Sequence, residues 1–136
     1  MESRVAKTIE LHKKGYNCAQ AVACAYCDLV GVDEDTMFKM AEGFGAGMGG
    51  MEGTCGAVSG AVLLAGMHNS HGKDARDSKA STYKLSKAIR LAFSEKNKTV
   101  ICKELKGVDT KEVLRSCDVC IEDAAAIVET LSLIHI

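Results

Sequence analysis

Seven cysteines stand in a chain of 136 residues, and four of them, Cys18, Cys55, Cys102 and Cys117, fall where the sequence predicts a helix to begin. Free amide groups and the helix dipole at an amino end stabilise a thiolate, the form of cysteine that attacks electrophiles and binds metals. Asn17 is a cap residue directly before Cys18, Cys55 closes a glycine-rich stretch, and Ser116 precedes Cys117. Cys102 falls within or near the first turn of a short helix. An odd number of cysteines cannot all pair within one chain. In a reducing compartment they serve as thiols, metal ligands or transient redox partners rather than as structural bridges. The recurrence points to one shared anionic site assembled by the tertiary fold.

The elements that must assemble such a site read as helices. The chain has no proline and few aromatics, and its apolar residues recur three and four positions apart, so an all-α fold is expected, a single-domain helical bundle. The first helix should run from about Ser3 to Lys14, with Val5, Ile9 and His12 on one stripe and Gly15 as its stop. Asn17 then caps a second helix from Cys18 to about Val30, rich in small residues and ended by Gly31. A third spans about Glu34 to Glu42 behind Asp33. The segment EGFGAGMGGMEGTCG that follows suits no regular element, because glycine at nearly every second position opens backbone conformations closed to other residues. This glycine-rich loop leads into a central helix from about Ala57 to Met67. A long helix should cover about Asp74 to Lys96, with Leu85, Ala88, Ile89, Ala92 and Phe93 buried. Short helices near Val100 to Leu105 and Lys111 to Arg115, and a last one from Cys117, complete the reading.

Bulk properties exclude several functions. A net charge of −1 offers no field that would draw the chain onto nucleic acid or an anionic membrane. The longest apolar stretch, Ala57 to Met67, is short and broken by Gly60 and Gly66, so membrane insertion is not expected. The amino-terminal segment MESRVAKTIELHKKG carries charges throughout and does not resemble a leader, which makes a cytoplasmic location the expectation. The last six residues, LSLIHI, read either as a non-native tail resembling a translated sequencing adapter or as an ordinary apolar helix end. Residues 1–130 are thus the expected domain and 131–136 are set apart.

At its cysteines the sequence resembles the C_GCAxxG_C_C family of redox proteins, over nearly the whole chain. GYNCAQAV (residues 15–22) is similar to the family's first cysteine block, and EGFGAGMGGMEGTCGAVSGA (42–61) to its glycine-rich segment and C-G-A-x-x-G motif. CKELKGVD (102–109) is similar to the third block and CDVCIEDAAAI (117–127) to the last. The resemblance implies that Cys18, Cys55, Cys102 and Cys117 are the four family cysteines, in a helical redox domain whose reaction is not established. Cys24, Cys27 and Cys120 depart from the pattern. Cys24 and Cys27 read as small core residues, since free cysteine is among the most buried types. Cys120, one turn beyond Cys117, could replace or supplement it.

Several chemistries suit this set. Four thiolates near glycine-rich amides fit an iron-sulfur cluster used for electron transfer, tuned by N–H···S contacts, and Gly53 and Gly56, on either side of Cys55, are the candidate cofactor-contacting positions. A metal-free thiol-disulfide oxidoreductase is the alternative, with one helix-terminal cysteine attacking and another resolving. A structural zinc protein is a further alternative. Such sites usually contain close cysteine pairs, and Cys24/Cys27 and Cys117/Cys120 are the candidates. The redox partner is unidentified, and self-association is left open. Neither C-x-x-C pair is followed by histidine, which argues against attached haem. Gly45, Gly47 and Gly50 satisfy G-x-G-x-x-G, but a helix precedes them where a dinucleotide site needs a strand. His68 and His71 read as a solvated turn, and Ser59 as a packing hydroxyl with no base.

Overall fold

The computed structural model describes residues 2–131 and is all-helical. In chain order it runs α1 (Val5–Lys13), α2 (Cys18–Ala25), a 3-10 turn (Cys27–Val30), α3 (Glu34–Glu42), α4 (Gly56–Asn69), α5 (Lys79–Asn97), α6 (Cys102–Lys106) and α7 (Cys117–Leu131). Leu131 ends α7; the remainder of the segment set apart above, 132–136, lies outside the described residues. Among the described residues no helix is long and apolar enough to cross a membrane.

Helix α2 is the axis. Every residue from Ala19 to Ala25 is buried, because small side chains let α1, α3, α4 and α7 all approach it. Helix α5 packs on α4 and α7 through Ile89 and Phe93, with Leu85, Ala88 and Ala92 half-buried beside them, the stripe its periodicity predicts. Two polar clusters, around Glu129 and Asn97, lie inside this core. Tyr26 Oη donates to Glu129 Oε2 at 2.5 Å, and the Arg4 amide donates to the same oxygen at 2.7 Å. Buried Asn97 donates to the Phe93 carbonyl and to Asp123, and accepts from Arg115 Nε at 2.9 Å.

Three elements differ from the sequence reading. Helix α2 ends at Ala25 rather than near Val30, since Tyr26 leaves helical geometry to reach Glu129 and Arg4 Nη1 takes the Ala25 carbonyl at 3.0 Å. The chain then tightens into the 3-10 turn and stops at Gly31. Helix α5 starts at Lys79, not Asp74: Arg76 adopts a left-handed backbone (φ 54°), and Ser78 Oγ holds the His71 amide at 3.0 Å. No helix forms at Lys111 to Arg115, where Lys111 is left-handed and the amides of Leu114 and Arg115 both donate to the Leu105 carbonyl.

Candidate redox centre

Each of the four cysteines opens a helix. Cys18 is the first residue of α2, behind a complete capping box in which Asn17 Oδ1 accepts from the Gln20 amide and Gln20 Oε1 accepts from the Asn17 amide, both at 2.9 Å. Cys55 is the N-cap of α4. Cys102 begins α6, and Cys117 begins α7 behind Ser116, whose Oγ accepts from the Val119 amide.

The glycine-rich segment brings two of these starts together. Thr54 and Ile101 form an antiparallel bridge, the Cys55 amide donates to the Val100 carbonyl at 2.6 Å, and the Cys102 amide donates to the Gly53 carbonyl at 2.9 Å. Residues 45–48 close into a left-handed turn that covers the pair. Gly47, at φ 56°, admits no side chain without movement: a Cβ there would lie 2.6 Å from the Cys102 Cβ. Gly56 plays the matching part between α4 and α2, where a Cβ would come 3.3 Å from that of Cys18.

The result is a cavity of about 280 Å³ walled by Cys18, Cys55, Cys102 and Cys117, together with His12 and Lys106. The structure therefore gathers all four cysteines. A larger apolar groove of about 680 Å³ between α4 and α5 contains no cysteine or histidine, and Ser59 faces it. The four cysteines line the smaller cavity instead.

Its sulfurs are electrostatically unequal. Cys117 is lowered to about 5, first by a hydrogen bond from the Cys18 thiol and then by Lys106 and His12. Cys18 is pushed up by that same bond and by burial, so the pair holds one proton in common. Cys55 is lowered to about 7 by the Cys120 thiol, with the amides of Ala57 and Val58 and the charge of Lys106 assisting, while Cys120 rises in compensation. Cys102 is raised by burial and by Cys55. A helix amino end alone thus does not make a thiolate here; at Cys18 and Cys102 the neighbouring sulfur and burial outweigh it. Among the described residues Lys106 Nζ is buried with no nitrogen or oxygen acceptor, and the group it interacts with is the Cys117 sulfur. Burial opposes its charge, but Cys117, Cys120 and Cys18 more than offset that and hold its pKa above the ordinary lysine value.

Gly56 lines the cavity, but Gly53 does not, and its amide already donates to the Gly47 carbonyl at 2.9 Å. Its contribution is the carbonyl that holds Cys102. Cys120 is fully buried, absent from the cavity wall and hydrogen-bonded to the Cys55 sulfur. Cys24 and Cys27 are core residues elsewhere; burial pushes Cys24 up to about 12 and raises Cys27. His71 pairs with Asp77 at 2.7 Å, on an exposed loop. Helix α3 precedes the glycine turn, so the G-x-G-x-x-G match has no strand before it. Sequence reasoning missed His12 and Lys106 as wall residues. His12 carries no local signal, because it arrives through packing of α1 on α7; Lys106 had one, standing one turn beyond Cys102 on the same face of α6.

Among the described residues, His12, Cys18 and Cys117 form a group that could hold a metal ion, their donor atoms all within 4.8 Å of one another. A family model described as "Putative redox-active protein (C_GCAxxG_C_C)" matches residues 16–131. No curated protein and no solved structure matches the chain.

Proposed function

Since the chain belongs to the C_GCAxxG_C_C family of redox proteins, we propose that its four-cysteine cavity holds an iron-sulfur cluster and serves electron transfer. The carrying observation is the wall itself: four thiols from four helix starts, with the buried Lys106 ammonium facing the Cys117 sulfur. The spacing supports a cluster over a single zinc ion bound by those four sulfurs. A tetrahedral zinc with Zn–S of about 2.3 Å needs its sulfurs about 3.8 Å apart. The only donor group within 4.8 Å among the described residues is His12, Cys18 and Cys117, so the four cysteines stand wider than one ion requires.

Cys18, Cys55, Cys102 and Cys117 would hold the cluster, which when bound supplies one-electron chemistry. Lys106 would offset the negative charge of the assembled thiolates. The amides of Ala57 and Val58, which already favour the Cys55 anion, would temper the charge on that sulfur. Protein purified without oxygen, or reconstituted with iron and sulfide, should contain both elements and absorb in the visible; Cys55→Ser and Cys102→Ser should lose that absorption. A wild-type protein that takes up neither iron nor sulfide refutes the reading.

One observation favours a second, metal-free reading: the Cys18 and Cys117 sulfurs lie within 4.8 Å, and Cys117 is the stabilised thiolate. Attack of Cys117 on a disulfide substrate would form a mixed disulfide and release one thiolate. Cys18 would then displace the second, leaving a Cys18–Cys117 disulfide and two reduced substrate thiols. Stoichiometric reduction of glutathione disulfide by the reduced, metal-free protein, lost in Cys18→Ser, separates this chemistry from cluster binding.

A further inference from the structure

His12 and Asp118 are 106 positions apart in sequence and meet because α1 packs along α7. Asp118 Oδ1 lies 2.8 Å from His12 Nδ1. With Nδ1–H donating to the carboxylate, the imidazole is held in one orientation and Nε2 keeps a free lone pair. His12 also lines the cysteine cavity and belongs to the donor group with Cys18 and Cys117. Two independent features therefore coincide. One is a nitrogen and two sulfurs close enough to converge on one ion, a set matched to borderline-soft cations. The other is a carboxylate behind the histidine, the contact that orients metal-bound imidazoles and raises their basicity. His12 also lies before the segment that matches the family, so nothing in the family motif assigns it.

We infer that His12, Cys18 and Cys117 form a site for a single thiophilic divalent cation of the zinc class, with Asp118 orienting the imidazole and the fourth position facing the cavity. Three protein donors and an open place is the arrangement of an exchangeable site rather than a closed structural one. It differs from the four-cysteine set by using His12 and dispensing with Cys55 and Cys102. Both sets need Cys18 and Cys117, so the two occupants exclude each other. Binding of the ion displaces the proton shared by Cys18 and Cys117.

Cobalt(II) alone, titrated without oxygen into the reduced, metal-free full chain, tests this through sulfur-to-cobalt charge-transfer absorption and the visible bands of tetrahedral cobalt. Wild type should bind one Co²⁺ per chain, displaced by Zn²⁺. His12→Ala should weaken binding at least tenfold, and Asp118→Ala by about 10- to 100-fold. Cys102→Ser should leave cobalt affinity within about twofold. Iron-sulfide reconstitution should show the reverse pattern, lost in Cys102→Ser and retained in His12→Ala. His12 is half-buried and Asp118 exposed, so both variants should fold, with circular dichroism spectra matching wild type. Cobalt affinity unchanged in His12→Ala, or abolished in Cys102→Ser, overturns the inference. Failure of wild type to form a cluster, with the cobalt pattern as expected, removes the cluster reading and leaves this site standing.

Discussion

Replacing Lys106 by methionine removes the buried ammonium from the cysteine cavity while keeping a long side chain in place. In the reduced, metal-free protein Cys117 ionises near 5, and after the Cys18 thiol the next groups holding it there are Lys106 and His12. A hydrogen bond to a charged group contributes about 1.5–3 kcal/mol. At about 1.36 kcal/mol per pH unit that is roughly one to two units in the midpoint, and Cys117 is only half-buried, so the lower half of the range applies. The Cys117 midpoint should therefore rise from about 5 to roughly 6–6.5 in Lys106→Met. Alkylation by iodoacetamide, mapped to Cys117 by mass spectrometry across pH 4–9, reads this directly, because only the thiolate reacts. The sign is unambiguous: the rate falls as pH drops through the midpoint, and the fall should come at higher pH in the variant. Coincident profiles would refute the role given to Lys106. A wild-type midpoint near that of an ordinary thiol, about 8.5, would refute the coupled Cys18–Cys117 pair as well.

Gly47→Ala should lose stoichiometric iron and about 1–3 kcal/mol of stability, since the new methyl meets Cys102 at a left-handed backbone position; iron content and urea unfolding measure the two effects. Tyr26→Phe should cost about 1.5–3 kcal/mol in the same unfolding assay by leaving Glu129 without its buried donor, with cluster absorption unchanged. Cys24→Ala should leave metal content and Cys117 reactivity at wild-type values and cost about 1 kcal/mol, as expected of a thiol that only fills the core. Loss of iron in that variant would move Cys24 into the centre.

What was legible in the sequence is what neighbouring residues decide. Asn17 announces a helix start and the spacing of Ile89 and Phe93 a buried stripe, and both stand in the structure; Gly31 stops a 3-10 turn rather than the helix itself. The four helix-starting cysteines were visible for the same reason, since a cap and the turn that follows it interact within a few residues. The tertiary structure alone decided which sulfurs carry charge. Cys18 and Cys102 have helix starts like those of Cys55 and Cys117, yet their thiols are raised, because burial and the partner sulfur outweigh the local dipole. It also decided that Tyr26 would break α2 to reach Glu129, 103 positions away, and that His12 would enter the cavity beside Cys18 and Cys117. No pattern of near neighbours encodes those contacts. They exist because α1, α6 and α7 pack against a common core, and the free energy that selects them belongs to the assembled helices.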